Sequence, residues 1–265
     1  MIRYKVDWAD LRARIDAASP KWFSKARKLT QANEVATKHI EYSKPHWSKI
    51  KEIFLIVQHD KCAYCERKAE GKYEFDVEHF RPKSSYFELA YDIGNYVISC
   101  KTCNTKYKSN TFPIAGLTRR AAIKAEYVAE RPLLLNPLAQ DDVDPSEVIE
   151  FDGIVPVPVS QDPSMRERAK TNIEFFRLDD RELLWQERAR VLCQIWQALP
   201  GFESAPAGSP IWESARSTLE FLTSAASAHT NCARSFLRTC LADPLRAGEL
   251  AELAAEYLGR CSVAG

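Results

Sequence analysis

The sequence has no apolar run of the roughly 18 residues needed to span a bilayer, so no membrane-crossing segment and no membrane partner are expected. Its opening residues, MIRYKVDWADLRARID, carry charges where a secretory leader needs an apolar core, which points to a soluble, cytoplasmic protein. Internal repeats and low-complexity tracts are also missing. What is present is ordinary for a globular chain: 265 residues, 45% of them hydrophobic, enough for one large domain or two small ones.

The net charge is only +1, yet the charges are unevenly placed. Residues 1–130 hold 24 Lys and Arg against 16 Asp and Glu, or +8, and residues 131–265 hold 13 against 20, or −7. A basic half beside an acidic one suggests that the first meets a polyanion. Two solvated surfaces would give the same counts, so charge alone does not decide the matter.

The coarse periodicity predicts helices at 7–18, 20–39 and 46–58, the second with a basic face. Residues 73–80 alternate like a strand, 84–94 read as a loop, 96–99 as a second short strand, and 103–110 as the start of a helix. Further on, 133–138 is extended before Pro137, and 147–158 form a hairpin turning at Asp152-Gly153. Helices follow at 165–178 and 180–199, the latter capped by Asp179, then a Gly/Pro/Ser loop at 201–210 and helices near 211–226, 231–242 and 246–260. The fold class is therefore α+β and mostly α-helical. We expect a first domain over 1–130, with its core at 58–110, and a second, a hairpin plus helices, over 131–265.

Eight cysteines are present, and four of them are grouped. Cys62/Cys65 and Cys100/Cys103 form two C-x-x-C pairs separated by 34 residues, whereas Cys193, Cys232, Cys240 and Cys261 are scattered through helical sequence and read as small buried hydrophobes. Each pair can present two thiolates to one tetrahedral Zn²⁺, and bringing the pairs together closes the intervening segment into a loop. A site with four thiolates has no open position, so this zinc knuckle is structural.

The enclosed segment carries chemistry. It contains Asp76-Val77-Glu78-His79-Phe80-Arg81-Pro82-Lys83 and then Asn95, with Asn104 directly after the last cysteine. Glu78 offers hard oxygen to a divalent cation, and His79 offers a near-neutral base. Asn104 is held in place by the adjacent ligand, and its amide oxygen can complete a cation site. Asp76 is a weaker candidate for a supporting role. His59 could be a spare ligand, while His39, His46 and His229 read as surface or packing residues. Tyr64 and Tyr107 could stack on bases but fit better as core around the knuckle.

These residues resemble the HNH, or ββα-metal, nuclease motif over residues 58–110, with His79, Asn95 and Asn104 at its three signature positions. The resemblance implies an endonuclease in which His79 activates water, Glu78 and Asn104 hold one Mg²⁺ or Mn²⁺, and Asn95 positions the imidazole. The family often has Asp where this chain has Glu78. Arg81, Lys83, Lys101, Lys106 and Lys108 would then lie where phosphates pass, with DNA a better fit than RNA. A looser resemblance over about 40–195, through EHFRPKS, RPLLLNP and TNIEFFRLDDRELLWQERARVL, is to the PtuB-like HNH proteins of Septu and retron antiphage systems. That group works beside an ABC/SMC-like ATPase, for which the acidic half is a candidate docking surface. A stand-alone restriction-type endonuclease and a non-catalytic zinc-dependent nucleic-acid adaptor are the alternatives.

Overall fold

The computed structural model describes residues 1–42, 45–68, 71–116, 127 and 129–263. The chain divides into two compact units. A mixed unit comprises Arg3–Tyr64 and Lys68–Asp144, and a helical unit comprises Met1–Ile2, Cys65–Arg67 and Pro145–Gly265. Among the described residues no helix is long and apolar enough to cross a membrane.

In the mixed unit, α1 (Trp8–Ala18) starts where the Asp7 carboxylate accepts the Ala9 and Asp10 amides at 2.9 and 3.1 Å, a side-chain N-cap. The second helix, α2 (Trp22–Ala36), is shorter than the expected 20–39, because Lys21 and Thr37 both adopt left-handed backbone at its two ends. Residues 46–58 do not form one continuous α-helix. His46–Ile50 is a 3₁₀ turn that leads into α3 (Lys51–Val57).

The expected strand at 73–80 contracts to β1 (Phe75–His79), since Lys72–Glu74 is a 3₁₀ turn and Phe80 leaves the ladder to bond the Asn95 carbonyl at 2.9 Å. β2 (Tyr96–Cys100) pairs antiparallel with it, placing Glu78 opposite Val97 and His79 opposite Tyr96. The helix expected at 103–110 is a π-helix, Thr102–Lys108. π-Helical turns are rare and concentrate at functional sites. Trp22, Phe54, Tyr64, Phe75 and Tyr96 are buried in this unit.

The helical unit begins with α4 (Pro145–Val148) and a hairpin of β3 (Ile149–Asp152) and β4 (Val155–Pro158). Its turn lies one residue later than expected. Asp152 is still paired with Val155, and Gly153, at a φ of +61° that suits glycine, makes the turn with Ile154. Next comes α5 (Pro163–Phe175), capped by Asp162.

Asp179 does not cap the following helix. α6 (Glu182–Ser204) starts after Arg181, which makes no side-chain cap bond. Residues 201–204 belong to this helix rather than to a loop. Pro200 removes only one N–H from the last turn, and the buried Leu199 keeps that turn on the core. Ser209 then caps α7 (Pro210–Thr223), followed by α8 (Thr230–Ala242) and α9 (Pro244–Val263). Leu192, Ile195, Leu219, Phe236, Leu250 and Ala251 are central in one apolar core, and Cys232 and Cys240 are packed into it as small hydrophobes.

Candidate active site and metal centre

Cys62, Cys65, Cys100 and Cys103 are all buried, and their sulfur atoms lie within 4.8 Å of one another. A tetrahedral ion with metal–sulfur bonds of about 2.3 Å holds its sulfurs nearly 4 Å apart, so the cluster fits a metal ion after a small contraction. Polar clamps shape the approach to it. Gln58, fully buried after α3, donates to the carbonyls of Lys61 and Ile98 at 3.1 and 3.0 Å and accepts the Ile98 amide at 2.6 Å. The Ala63 amide adds a bond to the Ile98 carbonyl at 2.9 Å. Gln58 thus ties the first cysteine turn to β2. Sequence reading missed it, since a glutamine at a helix end carries no signal of burial.

Beside the knuckle is a cleft of about 470 Å³, lined among others by Trp47, Asp76, Glu78, His79, Lys83 and Asn104. His79 is nearly buried. Its Nε2 is 2.9 Å from the Ala90 carbonyl, and a carbonyl only accepts, so Nε2 carries the proton and Nδ1 is the basic nitrogen. Burial is the main cause that pushes the imidazole down to about 3; the Ala90 bond opposes this, and the charges of Lys83 and Lys108 add to it. The ring is therefore neutral at physiological pH. Trp47 and Tyr96 brace it edge-to-face, with ring centroids 4.6 and 5.1 Å away. Trp47 falls within the helix expected at 46–58, and nothing in that pattern links it to His79.

Glu78 is buried and paired with Lys108, Nζ to Oε1 at 2.5 Å. The same ammonium donates to the His79 carbonyl at 3.0 Å. Burial pushes the Glu78 carboxyl up and the Lys108 ammonium down, and each charge opposes the shift in the other. Asp76, two residues before Glu78 on β1, lines the same cleft, as does Asn104 from the π-helix. These two carboxylates and the amide oxygen are hard donors of the kind a divalent cation takes. Asn95 is nearly buried and bonds the backbone of the loop between the strands. Its Oδ1 accepts the Arg81 amide at 2.8 Å, and its Nδ2 donates to the carbonyls of Arg81 and Leu89 at 3.0 and 3.3 Å. It fixes the loop that carries Ala90, the acceptor of His79.

Residues 62–110, the segment that builds this cleft and knuckle, match the HNH endonuclease family. They form an HNH domain. The chain is also similar to two proteins named Septu protein PtuB. One, from Bacillus mycoides (strain KBAB4), is 33% identical over 155 residues, 54% of this chain and 50% of that protein. The other, from Bacillus thuringiensis, is 33% identical over 87 residues, 31% of this chain and 34% of that protein. The chain thus spans about half the length of the first relative and less of the second. No solved structure matches.

The cations expected along a phosphate path of the HNH domain do not share one fate. Lys108 is a correction: it is fully buried in its pair with Glu78 and presents no surface to a ligand. Arg81 is a second. Its guanidinium is 3.0 Å from Glu130 and lies over the rings of Tyr86, Phe112 and Tyr127, so it holds the domain's interior together. Lys83 stays at the cleft, 2.6 Å from Glu41 and over Trp47. Lys101 and Lys106 are exposed. Tyr64 is fully buried and fills the core. His59 is not in the sulfur cluster.

Proposed function

We propose that this chain is a metal-dependent endonuclease that hydrolyses nucleic-acid phosphodiester bonds, DNA in preference to RNA. The observation that carries the reading is the neutral His79 ring, fixed through its Nε2–H, in one cleft with Glu78, Asp76 and Asn104. In this reading Nδ1 of His79 takes the proton from the attacking water. Trp47 and Tyr96 hold the ring, and Asn95 holds the loop that supplies its hydrogen-bond acceptor. Glu78 and Asn104 would hold Mg²⁺ or Mn²⁺, with Asp76 in support; Lys108 engages one Glu78 oxygen and leaves the other. When bound, such an ion supplies charge stabilisation at the phosphate and at the leaving oxygen. The four cysteines hold Zn²⁺ as a structural ion. Lys83 and Lys106 remain candidate phosphate contacts.

The likeness to proteins named for the Septu system supports a role in antiphage defence, in the cytoplasm, beside an ABC/SMC-like ATPase. We place the nuclease in the first domain, residues 1–130, and the partner-facing surface in the acidic helical half.

The test is cleavage of labelled DNA and RNA oligonucleotides with Mg²⁺ or Mn²⁺, with and without the co-expressed ATPase. His79→Ala should lower the rate about 10²- to 10⁴-fold, the usual contribution of a general base, while zinc content and thermal midpoint stay unchanged. Undiminished cleavage by that variant would overturn the assignment.

A further inference from the structure

With Arg81 and Lys108 turned inward, the HNH domain has few free cations with which to grip a long polyanion. The mixed unit supplies others on α2. Lys25 and Lys28, spaced i, i+3, fall on one face of α2, away from the buried Trp22, Ala26 and Asn33, and Lys21 stands at the start of the helix, one turn before Lys25. All three are exposed, and among the described residues none has a carboxylate partner, unlike Arg14, Lys72 and Lys83 of the same unit. Lys49, exposed on the 3₁₀ turn after Pro45, is also without one.

This face is fixed relative to the cleft. The Trp22 indole stacks on His46, with centroids 5.0 Å apart and planes 11° from parallel. The two residues also bond reciprocally: Trp22 Nε1 donates to the His46 carbonyl at 3.2 Å, and His46 Nε2 donates to the Trp22 carbonyl at 3.0 Å. At the far end of α2, buried Asn33 donates to the Phe87 carbonyl at 2.9 Å and accepts the Ile40 amide at 3.0 Å. His46 opens the turn whose Trp47 and Ser48 line the cleft. The charges of both Lys25 and Lys49 are felt at His46: burial chiefly lowers its pKa, the Trp22 carbonyl opposes this, and these two lysines lower it further.

We propose that Lys21 at the start of α2, Lys25 and Lys28 on it, and Lys49 beyond form a track for the phosphodiester backbone of a nucleic-acid strand entering the cleft. From Lys21 to Lys28 the chain advances about 10 Å along the axis of α2, the axial rise of about three phosphates on one strand of a duplex. Contacts of this kind read charge and spacing, so the track grips without sequence preference. The proposal rests on the nuclease reading.

The test measures binding of 5′-labelled 20-nucleotide DNA and RNA, single-stranded and duplex, by the full chain carrying His79→Ala to prevent cleavage. A triple variant, Lys21→Gln with Lys25→Gln and Lys28→Gln, is compared with a charge-matched control in the helical unit, Lys170→Gln with Arg190→Gln and Arg260→Gln. Neutralising three phosphate contacts should reduce the slope of log affinity against log salt by about 2 to 3. Affinity near 50 mM salt should fall at least tenfold, with the thermal midpoint unchanged, and the control should keep the parent's slope. If the parent binds and the α2 variant keeps its slope, or the control loses as much, the track is wrong while the nuclease reading stands. If the parent binds none of the oligonucleotides, both fall.

Discussion

The two units bury different chemistry. Around the HNH site the interior holds Gln58, Glu78, His79, Asn95 and Lys108, each nearly or fully buried and each engaged by a hydrogen bond or ion pair. In the helical unit α6, α7, α8 and α9 meet through leucine, isoleucine, phenylalanine, alanine and cysteine. Two strands of five residues bury too little apolar surface to define a site by packing. Polar clamps and a four-cysteine cluster able to hold a metal supply that definition, with direction and spacing that apolar contacts lack. The helical unit has polar clamps of its own, buried Arg188 donating to the Leu178 and Ile154 carbonyls and Asn231 to the Ile149 carbonyl, but they flank a core in which apolar helix stripes interlock along their length.

The strongest way to break this contrast is to remove a thiolate. Cys100→Ser should cost more than about 4 kcal/mol and should abolish hydrogen-exchange protection across residues 62–110, with α6–α9 far less affected. Normal zinc content and a normal thermal midpoint in that variant would show that the cluster is not structural. The opposite change is Phe236→Ala, which hollows the helical core and should cost roughly 3–5 kcal/mol with zinc stoichiometry unchanged.

A smaller effect is expected at the clamp. Gln58→Met keeps the volume but leaves the Ile98 amide without its Gln58 acceptor and removes one donor each from the Lys61 and Ile98 carbonyls, for roughly 1–3 kcal/mol. Chemical denaturation would read this, and a cost below a few tenths of a kcal/mol would mean that the clamp is incidental.

The smallest effect concerns pH and blurs the contrast, since each unit buries a neutral histidine. His46 faces the Trp22 carbonyl, Lys25 and Lys49; His229 faces Glu187, Arg188 and Glu66. In both, burial is the main cause of a pKa below the ordinary value of about 6.5. The unfolded chain therefore binds more protons than the folded one below that value. Stability is complete above it and declines as pH falls toward the folded pKa. Exchange protection of α2 and α8 should both weaken between pH 7.5 and 5.5, and equal protection at the two values would contradict the burial of neutral rings.

Much of the site was legible in the sequence because its signals are local. Two C-x-x-C pairs, the Glu78-His79 step and an asparagine after the last cysteine are spacings along the chain, and covalent geometry carries each into the fold. The boundaries shifted where local signals compete. Asp179 looked like a cap, yet α6 starts after Arg181, and residues 201–210 looked like a loop, yet the helix runs on to Ser204 with Leu199 on its core.

By itself, then, the sequence determined that four cysteines gather around an acid–histidine pair within a mostly helical chain. The tertiary structure decided which charges remain available. A lysine's stem is long enough to point either way, so the exposure of Lys108, Lys106 or Lys25 depends on what packs against each. Lys108 turns in because Glu78 and the His79 carbonyl meet it there, and Arg81 turns in because three aromatic rings and Glu130 enclose it. Phe112, Tyr127 and Glu130 lie 31, 46 and 49 residues from Arg81, and Glu78 and His79 lie 30 and 29 residues from Lys108, separations that only loop closure brings together. Apart from Tyr86, five residues from Arg81, no window of local sequence contains them, and only folding could show which lysines stay exposed, Lys25, Lys28 and Lys106 among them.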